Sequence, residues 1–238
     1  MTDMILRTWI FVVYLFLDEV VGQNQQSVDK KESRQQSKNS NASRKEYCKP
    51  TPADIYGPYY ITHSNRLIQY CTGNPRSYYN RTLTVHGHVL GEDCKIIPDT
   101  KIEIWQADVN GKYHSKDCRG YIITDKNGYY EFTTVHPGRY SIIQGQTYTR
   151  PRHIHFKVHG GLDHMGVVTQ MYFKGDPYLG MNDGCRGCSS GKDQLQTRPE
   201  LFCDNNLCII TVKFDIVLQT KPHGQHSRDM FNVLNRKK

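Results

Sequence analysis

The shortness of its apolar runs most limits what this chain can fold into. Runs rich in Val, Ile, Thr, Tyr and Phe occupy residues 82–90, 101–107, 120–124, 129–134, 140–143, 153–158, 168–173 and 208–218, each bounded by Gly, Pro, Asn or Asp. No stripe of 3.6-residue period joins them, whereas an alternating run suits a strand, whose side chains point to opposite faces in turn. The expected fold class is all-β, an antiparallel β-sandwich or barrel. Asp125-Lys126-Asn127-Gly128 supplies a turn between two of the runs. Residues 175–201 hold Gly, Asp, Ser and Cys without a clear period, and read as a long disulfide-tethered loop. No internal repeat is present.

The ends differ from this body. Arg7, an apolar run over 9–17, then Val20, Val21 and Gly22 form the pattern of a signal peptide over 1–22, cleaved before Gln23. A membrane-anchoring helix is the alternative, but the run is short for a bilayer. Residues 23–47 and 219–238 are polar, basic and aperiodic, so they read as disordered tails flanking one domain over 48–218. These tails carry most of the excess in a net charge of +8, which argues against a nucleic-acid-binding body. Eight cysteines fit an oxidising compartment, hence a secreted protein, with up to four disulfides of undetermined connectivity. Cys185, Cys188, Cys203 and Cys208 also have the spacing of a thiolate zinc site, the reading a cytosolic protein would favour. Asn41-Ala42-Ser43 and Asn80-Arg81-Thr82 are glycosylation acceptor patterns.

The chemistry starts at His153-Ile154-His155. Residues two apart in a strand share a face, so both imidazoles emerge together and form a natural pair of metal ligands. The pair does not name its metal, because imidazole suits zinc, copper, iron and nickel. Tyr113 follows Asn110-Gly111 and Tyr140 follows Pro137-Gly138, each where a strand leaves a turn. Phenolate is a hard anionic donor that favours ferric iron. Among 16 tyrosines, however, two near a histidine pair can equally be core aromatics.

Longer segments break that tie. Ile104-Trp105-Gln106-Ala107-Asp108 with Asn110-Gly111-Lys112-Tyr113, Thr124 to Phe132, Pro137-Gly138-Arg139-Tyr140, Arg150-Pro151-Arg152-His153-Ile154-His155-Phe156 and Thr169 to Pro177 resemble, in order, the motifs of the intradiol ring-cleavage dioxygenases. That family includes the catechol 1,2- and protocatechuate 3,4-dioxygenases. The resemblance runs from about Thr51 to Leu218 and implies the sandwich of that family. It also implies a non-haem Fe(III) cofactor held by Tyr113, Tyr140, His153 and His155. Arg150 would face the substrate, Gln170 would orient His155 or the hydroxide region, and Tyr140 would also act in catalysis. Gly57, Pro58, Tyr59, Val109 and Ile142 would line the pocket, although Tyr56 stands where a glutamate is usual.

The implied reaction is cleavage of a catechol by O2 to a muconate-type diacid. Thr149 and Ile142 depart from bulkier residues in bacterial members and relax the pocket, so a catecholic plant polyphenol is an expected substrate. With no helical segment before the sandwich, the chain resembles secreted single-domain members, and a monomer without a stable membrane anchor is expected. Two alternatives are a non-catalytic secreted β-sandwich module binding carbohydrate or protein, and a zinc or copper β-protein using the histidines alone.

Overall fold

The computed structural model describes residues 47–62, 65–66, 71, 82–143, 148–204 and 207–222. The proposed signal peptide, nearly all of the N-terminal tail, both glycosylation asparagines and most of the C-terminal tail lie outside them. No described helix is long and apolar enough to cross a membrane.

Twelve strands are described, in chain order: β1 (Thr82–Gly91), β2 (Lys101–Gln106), β3 (Arg119–Ile123), β4 (Tyr129–Val135), β5 (Tyr140–Ser141), β6 (Thr149–Arg150), β7 (His153–Val158), β8 (Val167–Phe173), β9 (Gln196–Thr197), β10 (Glu200–Asp204), β11 (Leu207–Lys213) and β12 (Ile216–Leu218). One sheet runs β10-β11-β1-β12 with β4 on the other side of β1, and a second runs β3-β2-β7-β8-β9. Strands β5 and β6 form a separate hairpin.

Alternation builds the core. Leu83, Val85 and Val89 of β1 and Tyr130 and Phe132 of β4 face Ile102 and Ile104 of β2, Ile154, Phe156 and Val158 of β7, and Met171 and Phe173 of β8. Burying each of these large side chains contributes about 1.5–3 kcal/mol. The chain is all-β as expected, but the sheets are mixed. β11 and β12 both pair parallel to β1, and β9 pairs parallel to β8.

The expected strand over 208–218 is two strands, β11 and β12, interrupted at Phe214 and Asp215. Gly87 permits a close backbone approach at that point. A Cβ there would lie 2.2 Å from the Phe214 carbonyl oxygen, so only glycine lets that carbonyl press onto β1. The carbonyl then accepts the buried Tyr130 hydroxyl at 2.5 Å, while Phe214 N–H donates to His86. The expected loop over 175–201 is largely irregular, yet it contains β9, the start of β10 and short 3-10 turns at Gly180–Asn182 and Asp193–Leu195. The domain also extends past Leu218. Met165 N–H donates to Gln219 and Lys221 N–H to Asp163, tying 219–221 to the body.

Three disulfides are resolved: Cys48–Cys94, Cys71–Cys118 and Cys185–Cys188. Cys203 is disulfide-bonded as well and stands across the β10–β11 ladder from Cys208. This removes the zinc reading of the four late cysteines. Among the described residues, no cluster of three or more His, Cys, Asp or Glu side chains is arranged to hold a metal.

Candidate metal centre

The core-facing residues of β7 leave His153, His155 and Lys157 on the outer face of the second sheet, where Trp105 of β2 and Gln170 of β8 stand beside them. Both imidazoles are nonetheless buried, at 2% and 1% exposure, because other segments cover that face. Residues 51–60 form one cover. Thr51 N–H bonds Val217, Asp54 N–H bonds Val168, and the Thr169 hydroxyl bonds Pro52. Gly57 then passes over the His155 ring, where an added Cβ would sit 3.4 Å from Cε1, in a backbone conformation (φ +67°) suited to glycine. Tyr59 stacks on Tyr113 with ring centres 4.3 Å apart, and its carbonyl accepts Arg119 Nη1 at 2.9 Å.

The second cover carries the tyrosines. Asp108 folds the Tyr113 loop around its carboxylate. Its Oδ1 accepts the Asn110 and Lys112 N–H groups at 2.8 and 2.9 Å, and its Oδ2 bonds His114 at 2.9 Å. Its own carbonyl accepts Gly138 N–H at 2.7 Å, which brings in the loop leading to Tyr140. The two loops abut through glycine backbones. A Cβ on Gly111 would lie 2.1 Å from the Arg139 carbonyl oxygen, and one on Gly138 would lie 2.2 Å from Gly111 N. Arg139 is held in turn by both oxygens of Asp176, at 3.1 and 2.9 Å.

Three donors converge as a result. Tyr113 Oη lies 3.2 Å from His153 Nε2 and 3.1 Å from His155 Nε2. The Tyr140 ring meets the Tyr113 ring edge-on at 5.5 Å and lies 5.8 Å from the His153 ring. His153 Nδ1 is committed to the Pro151 carbonyl at 2.7 Å, which leaves Nε2 as a bare acceptor. The Trp105 ring stacks on His155 at 4.7 Å with 8° between planes, fixing its orientation. His155 Nδ1 and Trp105 Nε1 are buried without a hydrogen bond of ordinary geometry.

Burial opposes charge on every donor of the cluster. Burial, reinforced by Arg150, pushes His153 down to about 3. Burial, then His153 and Arg150, holds His155 well below the usual imidazole range. Burial likewise holds the Tyr113 phenol well above its ordinary value, with Tyr140 adding to the effect, and raises Tyr140 against the pull of Arg150. Two neutral imidazoles and two protonated phenols thus face one another. One phenolic proton cannot serve both Nε2 atoms, whereas a hard cation would be met by all three atoms, with the Tyr140 phenol alongside, and would favour the phenolate form. This donor set fits ferric iron.

Arg150 lies beside the donors, 2% exposed. Its Nε donates to Asp183 Oδ1 at 2.8 Å, and its Nη2 donates to Gln170 Oε1 at 3.0 Å and the Tyr172 hydroxyl at 3.2 Å. Burial opposes its charge, but Tyr172 and Asp183 outweigh it and raise the guanidinium above its ordinary value. Gln170 stands opposite His155 in the β7–β8 register. It accepts from Arg150 and donates to the Ile55 carbonyl at 3.0 Å, and so ties Arg150 to the covering segment. Val109 packs against Cys71, Cys118 and Val135, behind the Tyr113 loop. Ile142 lies on the outward continuation of the β5–β6 hairpin, half exposed, with its N–H on the Tyr148 carbonyl. Asp108, Asp54, Trp105 and Asp183 are site-building residues that the sequence reading did not single out.

A family model described as "Dioxygenase" matches residues 55–220. The protocatechuate 3,4-dioxygenase beta chain of Burkholderia cepacia is 32% identical over 189 residues, 74% of this chain and 78% of that one. The catechol 1,2-dioxygenase of Acinetobacter baylyi is 33% identical over 149 residues, 54% of this chain but only 48% of its own length. The chain therefore spans about half of that second relative. In fold, the structure of Acinetobacter radioresistens catechol 1,2-dioxygenase matches with a TM-score of 0.65 at 23% identity, over 74% of this chain and 64% of that one. The dioxygenase domain of a Streptomyces dioxygenase–carbohydrate-binding fusion matches with a TM-score of 0.54 at 27% identity, over 73% of this chain and 100% of that domain.

Proposed function

The chain belongs to the intradiol ring-cleavage dioxygenase family, and from that premise we propose that it cleaves catecholic rings with O2, using ferric iron held by Tyr113, Tyr140, His153 and His155. The observation that carries this reading is the meeting of one phenol oxygen and two imidazole Nε2 atoms within 3.2 Å, beside a second phenol and a buried arginine. The chemistry a bound ferric ion supplies is withdrawal of electron density from a chelated catechol, which makes the ring reactive towards O2. The side chains do the rest. Tyr140, edge-on to the Tyr113 ring, is placed to take a catechol proton. Arg150 meets negative charge as it develops on the ring, with its guanidinium preorganised by Gln170 and Tyr172. Gly57, Tyr59 and Trp105 exclude water around His155 and Tyr113.

The substrate we propose is a catechol bulkier than the parent ring, such as a plant polyphenol. The hairpin that bears Tyr140 and Arg150 continues outward through Ile142, Ile143 and Tyr148, each roughly half exposed, which supports this reading. Secretion is proposed on the three disulfides and the leader-like N-terminus. A monomer is proposed because one chain supplies all four donors, Arg150 and Gln170.

The test is metal analysis and a visible spectrum of the purified protein, followed by O2 uptake with a panel of catechols. Stoichiometric iron with a phenolate-to-iron charge-transfer band and ring-opened product is expected, and absence of both iron and band would sink the reading. Tyr140→Phe should keep its iron and lose turnover. If the parent catechol alone is consumed, the bulky-substrate proposal fails.

A further inference from the structure

We propose that Asp183 is the positioning residue of Arg150, held in place by the Cys185–Cys188 disulfide loop; the proposal rests on the ring-cleavage reading above. Arg150 ends the two-residue strand β6. Its Nε edge is fixed by Asp183 Oδ1 at 2.8 Å, an ion pair whose side chains are 3% and 1% exposed. That same Oδ1 accepts the Cys185 N–H at 2.9 Å. Asp183 Oδ2, by contrast, is buried with no partner, so the orientation of the carboxylate depends on the two donors at Oδ1. One donor is the arginine itself. The other belongs to the disulfide.

The loop is pinned on both sides of that bridge. Before it, Gly184 N–H donates to the Thr149 carbonyl at 2.9 Å, and a Cβ on Gly184 would lie 2.6 Å from the Tyr148 carbonyl carbon and oxygen. The loop backbone is thus pressed onto the residues that lead into Arg150. Within it, Cys188 N–H returns to the Cys185 carbonyl at 3.2 Å, and the disulfide closes the same four residues. Beyond it, Ser189 N–H donates to Asp54 Oδ2 at 2.9 Å. That oxygen also accepts the Tyr172 hydroxyl at 2.8 Å, and the Tyr172 oxygen accepts Arg150 Nη2. One small loop therefore bounds the guanidinium directly at Nε and, through Asp54 and Tyr172, at Nη2.

The experiment compares wild type, Asp183→Asn and the double variant Cys185→Ser/Cys188→Ser, all iron-loaded, by iron content, visible spectrum and steady-state kinetics on catechol. Both variants should keep the iron and the charge-transfer band while kcat falls roughly 10- to 100-fold, the usual cost of losing a supporting contact, with little change in KM. Wild-type kcat in both variants would overturn the proposal. Loss of iron and band together with kcat would make Asp183 a general structural residue and overturn it too. If Asp183→Asn fails to fold, the disulfide variant decides by the same criteria. An iron-loaded wild type that turns over no catechol would count against the ring-cleavage reading instead. Affinity for a nitro-substituted catechol, followed by its colour, then takes the place of kcat. Its bound ring already carries negative charge, so several-fold weaker binding in the variants supports the proposal and unchanged binding overturns it.

Discussion

Strand β7 presents two regions that differ in kind although their residues alternate along one backbone. On its inner face Ile154, Phe156 and Val158 enter an apolar layer shared by both sheets. On its outer face His153 and His155 are just as inaccessible, but their neighbours are phenols, an indole and a guanidinium, contributed by β2, the β5–β6 hairpin and the loop that carries Tyr113. Burial on the inner face is what drives the sheets together. Burial on the outer face costs free energy, since it strips water from polar groups, and covalent and hydrogen-bonded ties keep the covering segments in place. The strand is thus a boundary between a layer that makes the fold and one that the fold must maintain.

His155→Ala should cause the largest effect and test that boundary most directly. Turnover should fall on the order of 10³-fold, matching several kcal/mol of lost charge stabilisation, with iron content reduced and the unfolding midpoint nearly unchanged. A collapsed fold would show that the outer layer is structural after all. Phe156→Ala, one residue away, should do the reverse, costing about 3–5 kcal/mol in denaturant unfolding while the visible band of the folded fraction persists. A smaller effect is expected from Glu103→Gln. Glu103 is 5% exposed on the outer face and serves Tyr60 at 2.7 Å and His159 at 2.6 Å. Weakening these charge-assisted bonds should cost about 1–3 kcal/mol and leave the iron in place.

The smallest effect is a pH dependence at the inner layer. His136 packs on the core residue Phe173 at 4.3 Å, and burial, aided by Arg152, lowers it to about 4. The unfolded chain therefore binds its proton first as pH falls. The contribution of neutral His136 is complete above its ordinary value of 6.5 and is lost as pH drops towards 4. In thermal melts across that window, His136→Gln should lose less stability than wild type; parallel curves would refute the assignment.

The inner layer was legible in the sequence because alternation is a local signal. The run over 153–158 and the observed β7 coincide, as do most of the longer strands to within a residue or two. Strands β6 and β9 were missed because two residues carry no period, and the parallel pairings of β11 and β12 with β1 depend on chain crossings that no local pattern encodes. The outer layer was legible only where motifs mark it. Asp108 could have been found from its place before Asn110-Gly111, a turn whose amides need an acceptor. Asp54 and Asp183 could not. Each lies in an aperiodic segment and acquires its partner, Tyr172 or Arg150, only when the fold closes. Gln170 was recognised from its motif, but its bonds to Arg150 and the Ile55 carbonyl carry no local signal, because facing His155 across a ladder does not dictate where a flexible side chain points.

The contact between Gly111 and Gly138 has a practical consequence for anyone wishing to redirect this protein to new substrates. Because the two loops touch backbone to backbone, neither tyrosine can be shifted without displacing the other, so variation at 108–113 or 137–140 would be spent on inactive clones. Ile142, half exposed beyond Ser141, lies outside both loops. A mutant library aimed at substrate range belongs there.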